Sequence, residues 1–234
     1  MSDKKTAVIL AGGLGTRLKP YTISMPKPLV PIGDKAILEL IIIQLSKCGF
    51  ERVILTVNHQ AEMIREYFGN GSRWGIDIEY SLEDKPLGTM GPLKLLRDLP
   101  DNFLIMNGDV LSDIDFSDFL QKHIESDRLF TISSFERVNR IDYGVLHVND
   151  GRLIGFEEKP ELTYSVSMGI YAAKKEILEC IPDDMFYGLD SLLIDNLKEK
   201  NIGTIKHEGY WMDIGRPEDY LQACEDVKNG VIVI

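Results

Sequence analysis

Apolar residues enter this chain in short runs, each broken by glycine, proline or a cluster of charges. Residues 6–11 (TAVILA) are apolar and partly β-branched and stop at Gly12-Gly13, which predicts a buried strand. A helical pattern over residues 36–48 ends at Gly49, placed as a C-terminal cap. Residues 52–57 then read as a strand, 60–68 as a helix, 76–80 as a strand and 91–97 as a helix. The run NFLIMNGDV reads as a strand cut off at Asn107-Gly108-Asp109. Alternation of this kind predicts an α/β chain of three α/β/α layers, with helices on both faces of a mostly parallel sheet.

The second half changes character. LFTISSF, YGVLHV, RLIGFEEK and SVSMGIYAA are short strands joined by turn residues such as Asn149-Asp150-Gly151, and they predict a small antiparallel addition. A helix over 189–199, a strand over 203–207 and a last helix opened by Pro217 complete the pattern. No linker divides it, so residues 1–234 are expected to form one domain.

Charge narrows the partners. A formal net charge of -11 excludes the basic footprint that nucleic acid requires, so an anionic ligand here must be small. Cys48, Cys180 and Cys224 are odd in number and far apart, which excludes a disulfide framework and a CxxC metal site. No apolar run approaches the roughly 20 residues of a membrane span, so no membrane partner is expected and the cytoplasm is the expected compartment. His59, His123, His147 and His207 have no metal-ligand spacing.

In parallel sheets ligands sit beyond the carboxyl ends of the strands, where residues 11–13 and 107–109 both fall; they should meet in space. Gly12, Gly13 and Gly15 let backbone amides approach an anion without a Cβ between them. The run is neither a Walker loop nor a dinucleotide fingerprint. What remains is GGLGTR followed by PKP, in which Pro26 and Pro28 stiffen the backbone around Lys27. Asp113 and Asp115 could be mistaken for a metal-binding Asp-x-Asp and read instead as turn and helix-cap residues.

GGLGTRLKPYT with MPKPLVPI resembles the opening of the sugar 1-phosphate nucleotidyltransferases. EDKPLGTMGPL at 83–93 resembles the base-binding loop of GDP-mannose pyrophosphorylases, and MNGDV resembles their metal-binding strand end. YGV, FEEKP and WMDIGRPEDYL resemble later blocks in order. The resemblance points to short forms of the GDP-mannose pyrophosphorylase type, which act on mannose or manno-heptose 1-phosphate. It implies a single-domain, Rossmann-like nucleotidyltransferase fold. It also implies a reaction in which a sugar 1-phosphate oxygen attacks the α-phosphorus of a nucleoside triphosphate and pyrophosphate leaves. Such transfer depends on alignment and charge neutralisation.

Several site residues follow from the resemblance. Arg17, Lys27 and Asp109 are implied to be catalytic, the two cations offsetting charge on the leaving pyrophosphate. Asp109 and Asp213 are implied to hold Mg2+. The nucleotide would be held by Leu10, Ala11, Gly12, Gly13, Gly15, Thr16 and Arg17 in the first loop, by Glu83, Pro86, Gly88 and Thr89 in the second, and by Asn107 and Gly108. Tyr143, Gly144, Glu158, Lys159 and Ser167 would hold the sugar 1-phosphate.

Guanine presents N1–H and an exocyclic amine side by side, which an ionised carboxylate accepts together; an amide suits uracil or thymine better. Glu83 stands where thymidylyl and uridylyl relatives commonly carry Gln, so GTP is favoured. Ser167-Met168 replaces the Asn-Ala of mannose-type relatives and is expected to reshape the sugar pocket, leaving mannose, manno-heptose and other hexoses open. No hexapeptide repeats stand after the last block, so the resemblance favours the short form and no left-handed β-helix is expected, and a homodimer stays open. The alternatives are a uridylyl-, thymidylyl- or cytidylyltransferase, a non-catalytic sugar-nucleotide-binding regulator, and a glycosyltransferase using Asp113 and Asp115.

Overall fold

The computed structural model describes residues 4–58 and 61–232. The strands in chain order are β1 (Thr6–Leu10), β2 (Pro31–Ile32), β3 (Lys35–Ala36), β4 (Arg52–Val57), β5 (Asp77–Leu82), β6 (Asn102–Asn107) and β7 (Val110–Ser112). They continue with β8 (Phe130–Arg140), β9 (Val145–Asn149), β10 (Arg152–Glu157), β11 (Glu161–Lys174), β12 (Ile202–His207) and β13 (Trp211–Asp213). The α-helices are α1 (Ile37–Lys47), α2 (Ala61–Phe68), α3 (Phe116–Ser126), α4 (Leu189–Asn196) and α5 (Pro217–Lys228). The expected helix start at Gln60 lies outside the described residues.

Seven strands form one sheet in the order β12-β8-β11-β6-β1-β4-β5. Every pairing in it is parallel except the two made by β11, which runs antiparallel between β6 and β8. The pleat sends alternate side chains to opposite faces. Ala7 and Ile9 of β1 join Leu104 and Met106 of β6 beneath α1, α2 and α3. Val8, Phe103 and Ile105 join Met90, Leu93 and Leu192 on the other face. Both faces are thus covered, as strands that are apolar throughout require.

Three expectations are corrected. Residues 91–97 are not an α-helix: Gly91–Leu95 is a 3-10 turn that starts on Gly91-Pro92 and stops where Leu96 becomes extended. The small antiparallel addition is present as the separate β9–β10 pair but takes in fewer strands than expected, since β8 and β11 belong to the main sheet. Each long strand divides in two. The first five residues of β8 and residues 168–173 of β11 are buried, whereas residues 136–140 and 161–165 are exposed and pair with each other beyond the core. Short sequence runs cannot distinguish such a strand from two separate ones. The third correction concerns Met168, which is 1% exposed and accepts a hydrogen bond from the Ser133 hydroxyl at 2.8 Å. It faces the core rather than a sugar pocket, because neighbouring strand residues point to opposite sides.

Among the described residues no helix is long and apolar enough to cross a membrane.

Candidate active site

The two glycine-marked strand ends do meet. Gly108 N donates to Leu10 O at 3.0 Å, and a Cβ on Gly108 would stand 3.2 Å from that same oxygen. Ala11 N donates to Thr56 O at 2.9 Å, which ties the turn after β1 to β4. Beyond it the chain loops through Gly15 at φ +60, where a side chain would be strained and would press on Thr22 and Lys27. The Thr22 hydroxyl closes this loop on Gly15 O at 2.7 Å.

That loop seats the cations. Lys27 opens a 3-10 turn, Lys27–Leu29, between Pro26 and Pro28 and is only 9% exposed. Its ammonium pairs with Asp109 Oδ2. The other oxygen, Asp109 Oδ1, is buried and has no hydrogen-bond partner. β13 pairs antiparallel with β7, placing Asp213 against Val110, and Ile214 N donates to Asp109 O at 3.0 Å. A Cβ on Gly215 would lie 3.6 Å from Asp213 Oδ2 and 3.8 Å from the Arg17 guanidinium carbon, so both head groups flank one glycine. Burial raises the Asp213 carboxyl above its ordinary value and Asp109 adds to the rise, while Lys27 and Arg17 oppose it. Asp109 and Asp213 are therefore the carboxylates that could hold a cation. Two carboxylates completed by phosphate and water oxygens suit magnesium, and an unpaired buried acceptor fits such a ligand. Among the described residues no group of three or more His, Cys, Asp or Glu forms a metal cluster.

A cavity of about 700 Å³ runs from Asp109 between the first loop and the 83–91 loop. Of the expected nucleotide residues, Leu10, Gly12, Gly13, Glu83, Pro86, Gly88, Thr89 and Asn107 line it. Ala11 is buried, Thr16 and Arg17 are exposed, and none of these three, nor Gly15 or Gly108, lines the cavity. Glu83 faces the first loop so closely that a Cβ on Gly12 would be 2.8 Å from Glu83 Oε1. Its other oxygen accepts from Leu87 N at 3.2 Å, and burial raises its carboxyl above the ordinary value.

The sequence missed one wall, made by Phe186, Gly188 and Asp190. Tyr187 is buried and staples this segment to the 83–91 loop: its N–H donates to Leu87 O at 2.9 Å, and its carbonyl accepts from Met90 N and Gly91 N at 2.9 and 3.0 Å. Gly88, at φ +80, admits that carbonyl, which a Cβ would meet at 2.8 Å. Leu189 N adds a bond to the Thr89 hydroxyl at 3.1 Å. These contacts join residues about a hundred apart in sequence, and the only local signal was an aromatic pair before Gly188. Thr56, Asn58, Leu14, Asp84 and Lys85 also line the cavity.

The expected sugar-phosphate residues are not brought into that cavity. Tyr143 is 79% exposed, and Gly144, Glu158 and Lys159 are exposed beside it on the arm beyond the core. Ser167 stands nearer, at the base of the arm. Its hydroxyl accepts from Gly169 N at 3.3 Å, and a Cβ on Gly169 would be 2.6 Å from Asn107 Nδ2. Trp211 donates from Nε1 to Met168 O at 2.9 Å and packs on Phe135 next to the Asp213 strand.

The remaining candidates have structural duties. Asp115 caps α3 by accepting from Ser117 N and Asp118 N, and Asp113 accepts from Tyr210 N at 2.7 Å. His123 is buried against the Thr131 hydroxyl, and burial, with Lys174 and Arg128, lowers its pKa to about 4. His59 lies outside the described residues.

Residues 6–230 match the family model described as nucleotidyl transferase. The D-glycero-α-D-manno-heptose 1-phosphate guanylyltransferase of Aneurinibacillus thermoaerophilus is 36% identical, over 95% of this chain and 98% of that protein. The protein of the same description from Campylobacter jejuni is 38% identical, over 92% of this chain and 96% of its own length. HddC from Yersinia pseudotuberculosis, complexed with GMP-PN, superposes with a TM-score of 0.72 at 29% identity, over 95% of this chain and 99% of that one. This chain belongs to the nucleotidyl transferase family.

Proposed function

We propose that this cleft transfers a guanylyl group from GTP to a manno-configured sugar 1-phosphate. The sugar-phosphate oxygen forms a bond to the α-phosphorus, and the bond from that phosphorus to the oxygen leading to the β-phosphorus breaks, releasing pyrophosphate. The observation that carries this reading is the cluster of Lys27, Asp109, Asp213 and Arg17 at one end of a cavity whose other wall holds Glu83.

Lys27 is held in place before substrate arrives, so it neutralises charge on the departing phosphates without having to be reoriented. Arg17 approaches the same region as a planar donor fork. Glu83, ionised, accepts from guanine N1–H and N2–H, while the bare backbone of Gly12 lets that carboxylate stand against the first loop. Asp109 and Asp213 would hold Mg2+, which supplies charge neutralisation across the triphosphate when bound.

β11 is antiparallel to β6, so its exposed half leaves the sheet at the carboxyl end of β6, on the side where the cavity opens. Tyr143, Gly144, Glu158 and Lys159 are on that side, and Ser167 is at its base. In the proposed reaction they hold the sugar 1-phosphate, Lys159 by charge and Glu158 by accepting from hydroxyls. The relatives described as D-glycero-α-D-manno-heptose 1-phosphate guanylyltransferases share most of this chain's length and support a manno-configured acceptor here.

Pyrophosphate release tests the reading, with GTP, UTP, dTTP and CTP each offered against glucose, mannose and manno-heptose 1-phosphates. Turnover should be fastest with GTP and a manno-configured acceptor. Turnover confined to UTP or dTTP would refute the base assignment, and nucleotide binding without release from any pair would refute transfer.

A further inference from the structure

The carboxylate assigned to the base stands at the end of a line of bonds that begins on a helix distant in sequence. Glu83 Oε2 accepts from Leu87 N at 3.2 Å. Leu87 O in turn accepts from Tyr187 N at 2.9 Å, so this one residue is held on both sides. The Tyr187 hydroxyl donates to Asp195 Oδ2 of α4 at 2.8 Å. Asp195, Tyr187, Leu87 and Glu83 thus connect a carboxylate on α4 to the one that faces Gly12.

Tyr187 is the part of that line which fastens it to the core. Between Ile181 and Leu192 it is the one buried side chain, whereas residues 183–186 are all exposed. Its ring belongs to the core cluster of Met90, Leu93 and Leu192. Burial, and then the Asp195 carboxylate, push the hydroxyl's pKa up to about 12, which keeps it a donor at neutral pH. Two ion pairs also join these segments, Lys85–Asp184 at 2.8 Å and Lys94–Asp183 at 3.4 Å. Their acidic partners are 80% and 85% exposed, and pairs so exposed contribute little.

The bond from Leu87 N orients the Glu83 carboxylate while using only one of its acceptor sites, and the others can receive two donors side by side. A bidentate contact requires the carboxylate to be turned to one angle, whereas a single donor such as uracil N3–H tolerates rotation. Loosening Tyr187 is therefore a loss for guanine in particular.

We propose that Tyr187, anchored by Asp195, is a positioning residue for base selection: through Leu87 it sets the angle at which Glu83 meets the nucleobase. The inference rests on the guanylyl reading above and deepens it.

Steady-state pyrophosphate release with GTP and with UTP tests it, at saturating mannose or manno-heptose 1-phosphate. Tyr187→Phe removes the hydroxyl and keeps the ring. It should lower the GTP-over-UTP ratio of kcat/KM by about fivefold, the worth of one hydrogen bond, mainly through the KM for GTP. Asp195→Ala should do the same, and Asp195→Asn, which keeps an acceptor for the hydroxyl, should restore the ratio. Added to Glu83→Gln, Tyr187→Phe should lower the ratio little further, because both act through one carboxylate. Circular dichroism verifies that each variant is folded. A folded Tyr187→Phe enzyme that keeps the wild-type ratio, that loses GTP and UTP turnover alike, or whose loss multiplies that of Glu83→Gln would overturn the proposal alone. A wild-type enzyme with no preference for GTP would refute the base assignment and this inference with it.

Discussion

The two ends of the cleft are built differently. At the proposed nucleotide end several groups are held by the fold: Lys27 lies between prolines and pairs with Asp109, the ends of β1 and β6 are clasped at Gly108, and Tyr187 locks the 83–91 loop. At the proposed sugar end Tyr143, Glu158 and Lys159 ride on a two-stranded arm exposed on both sides and outside the cavity. The contrast teaches where precision is needed. Charge develops on the phosphates during transfer, and only donors already in place, in a partly dry site, stabilise it without reorganisation. Sugar hydroxyls carry no such change and tolerate a looser frame.

The sharpest way to break the contrast is at Asp109. Asp109→Asn should lower kcat on the order of a thousandfold while GTP binding, measured by equilibrium titration, changes far less. Next in size, Lys27→Met should lower kcat by about a hundredfold, since it removes one preplaced cation. If Lys159→Met were to cost as much in kcat, instead of raising the KM for sugar 1-phosphate, the distinction between the two ends would fail.

Much of the nucleotide end was legible in the sequence because its parts are local. Glycines mark the strand ends, prolines flank the lysine, and a carboxylate follows each of two short apolar runs. The arm was not legible, since half of β11 is core and half is exposed within one continuous strand, and its alternating pattern looks the same in either case. Phe186 was missed because only the fold brings its neighbour Tyr187 against Gly88 and so sets Phe186 on the cavity wall, and Met168 was assigned to the sugar pocket although the pleat turns it inward.

Base selectivity sharpens the account of the nucleotide end. Glu83→Gln should cut the preference for GTP over UTP by roughly thirtyfold, because a bidentate carboxylate contact is replaced by an amide. The acid limb of GTP affinity carries the same signature. The ionised carboxyl is the form that accepts from guanine, and burial raises its pKa, so affinity should begin to fall at a higher pH than for an ordinary carboxylate. Glu83→Gln should flatten that limb. The smallest expected effect is at Phe186, which is 70% exposed although it lines the cavity. Phe186→Ala should raise the KM for GTP by roughly fivefold, with Phe186→Trp restoring it, through lost contact with the purine face.

A double-mutant cycle on Asp109 and Asp213, read by single-turnover pyrophosphate release at saturating GTP, tests the shared centre most directly. If the two carboxylates act as one unit, Asp109→Asn and Asp213→Asn should each abolish most of the rate, and the double variant should lose little more than the worse single one. Losses that multiply, or an Asp213→Asn enzyme that keeps nearly the wild-type rate, would contradict it.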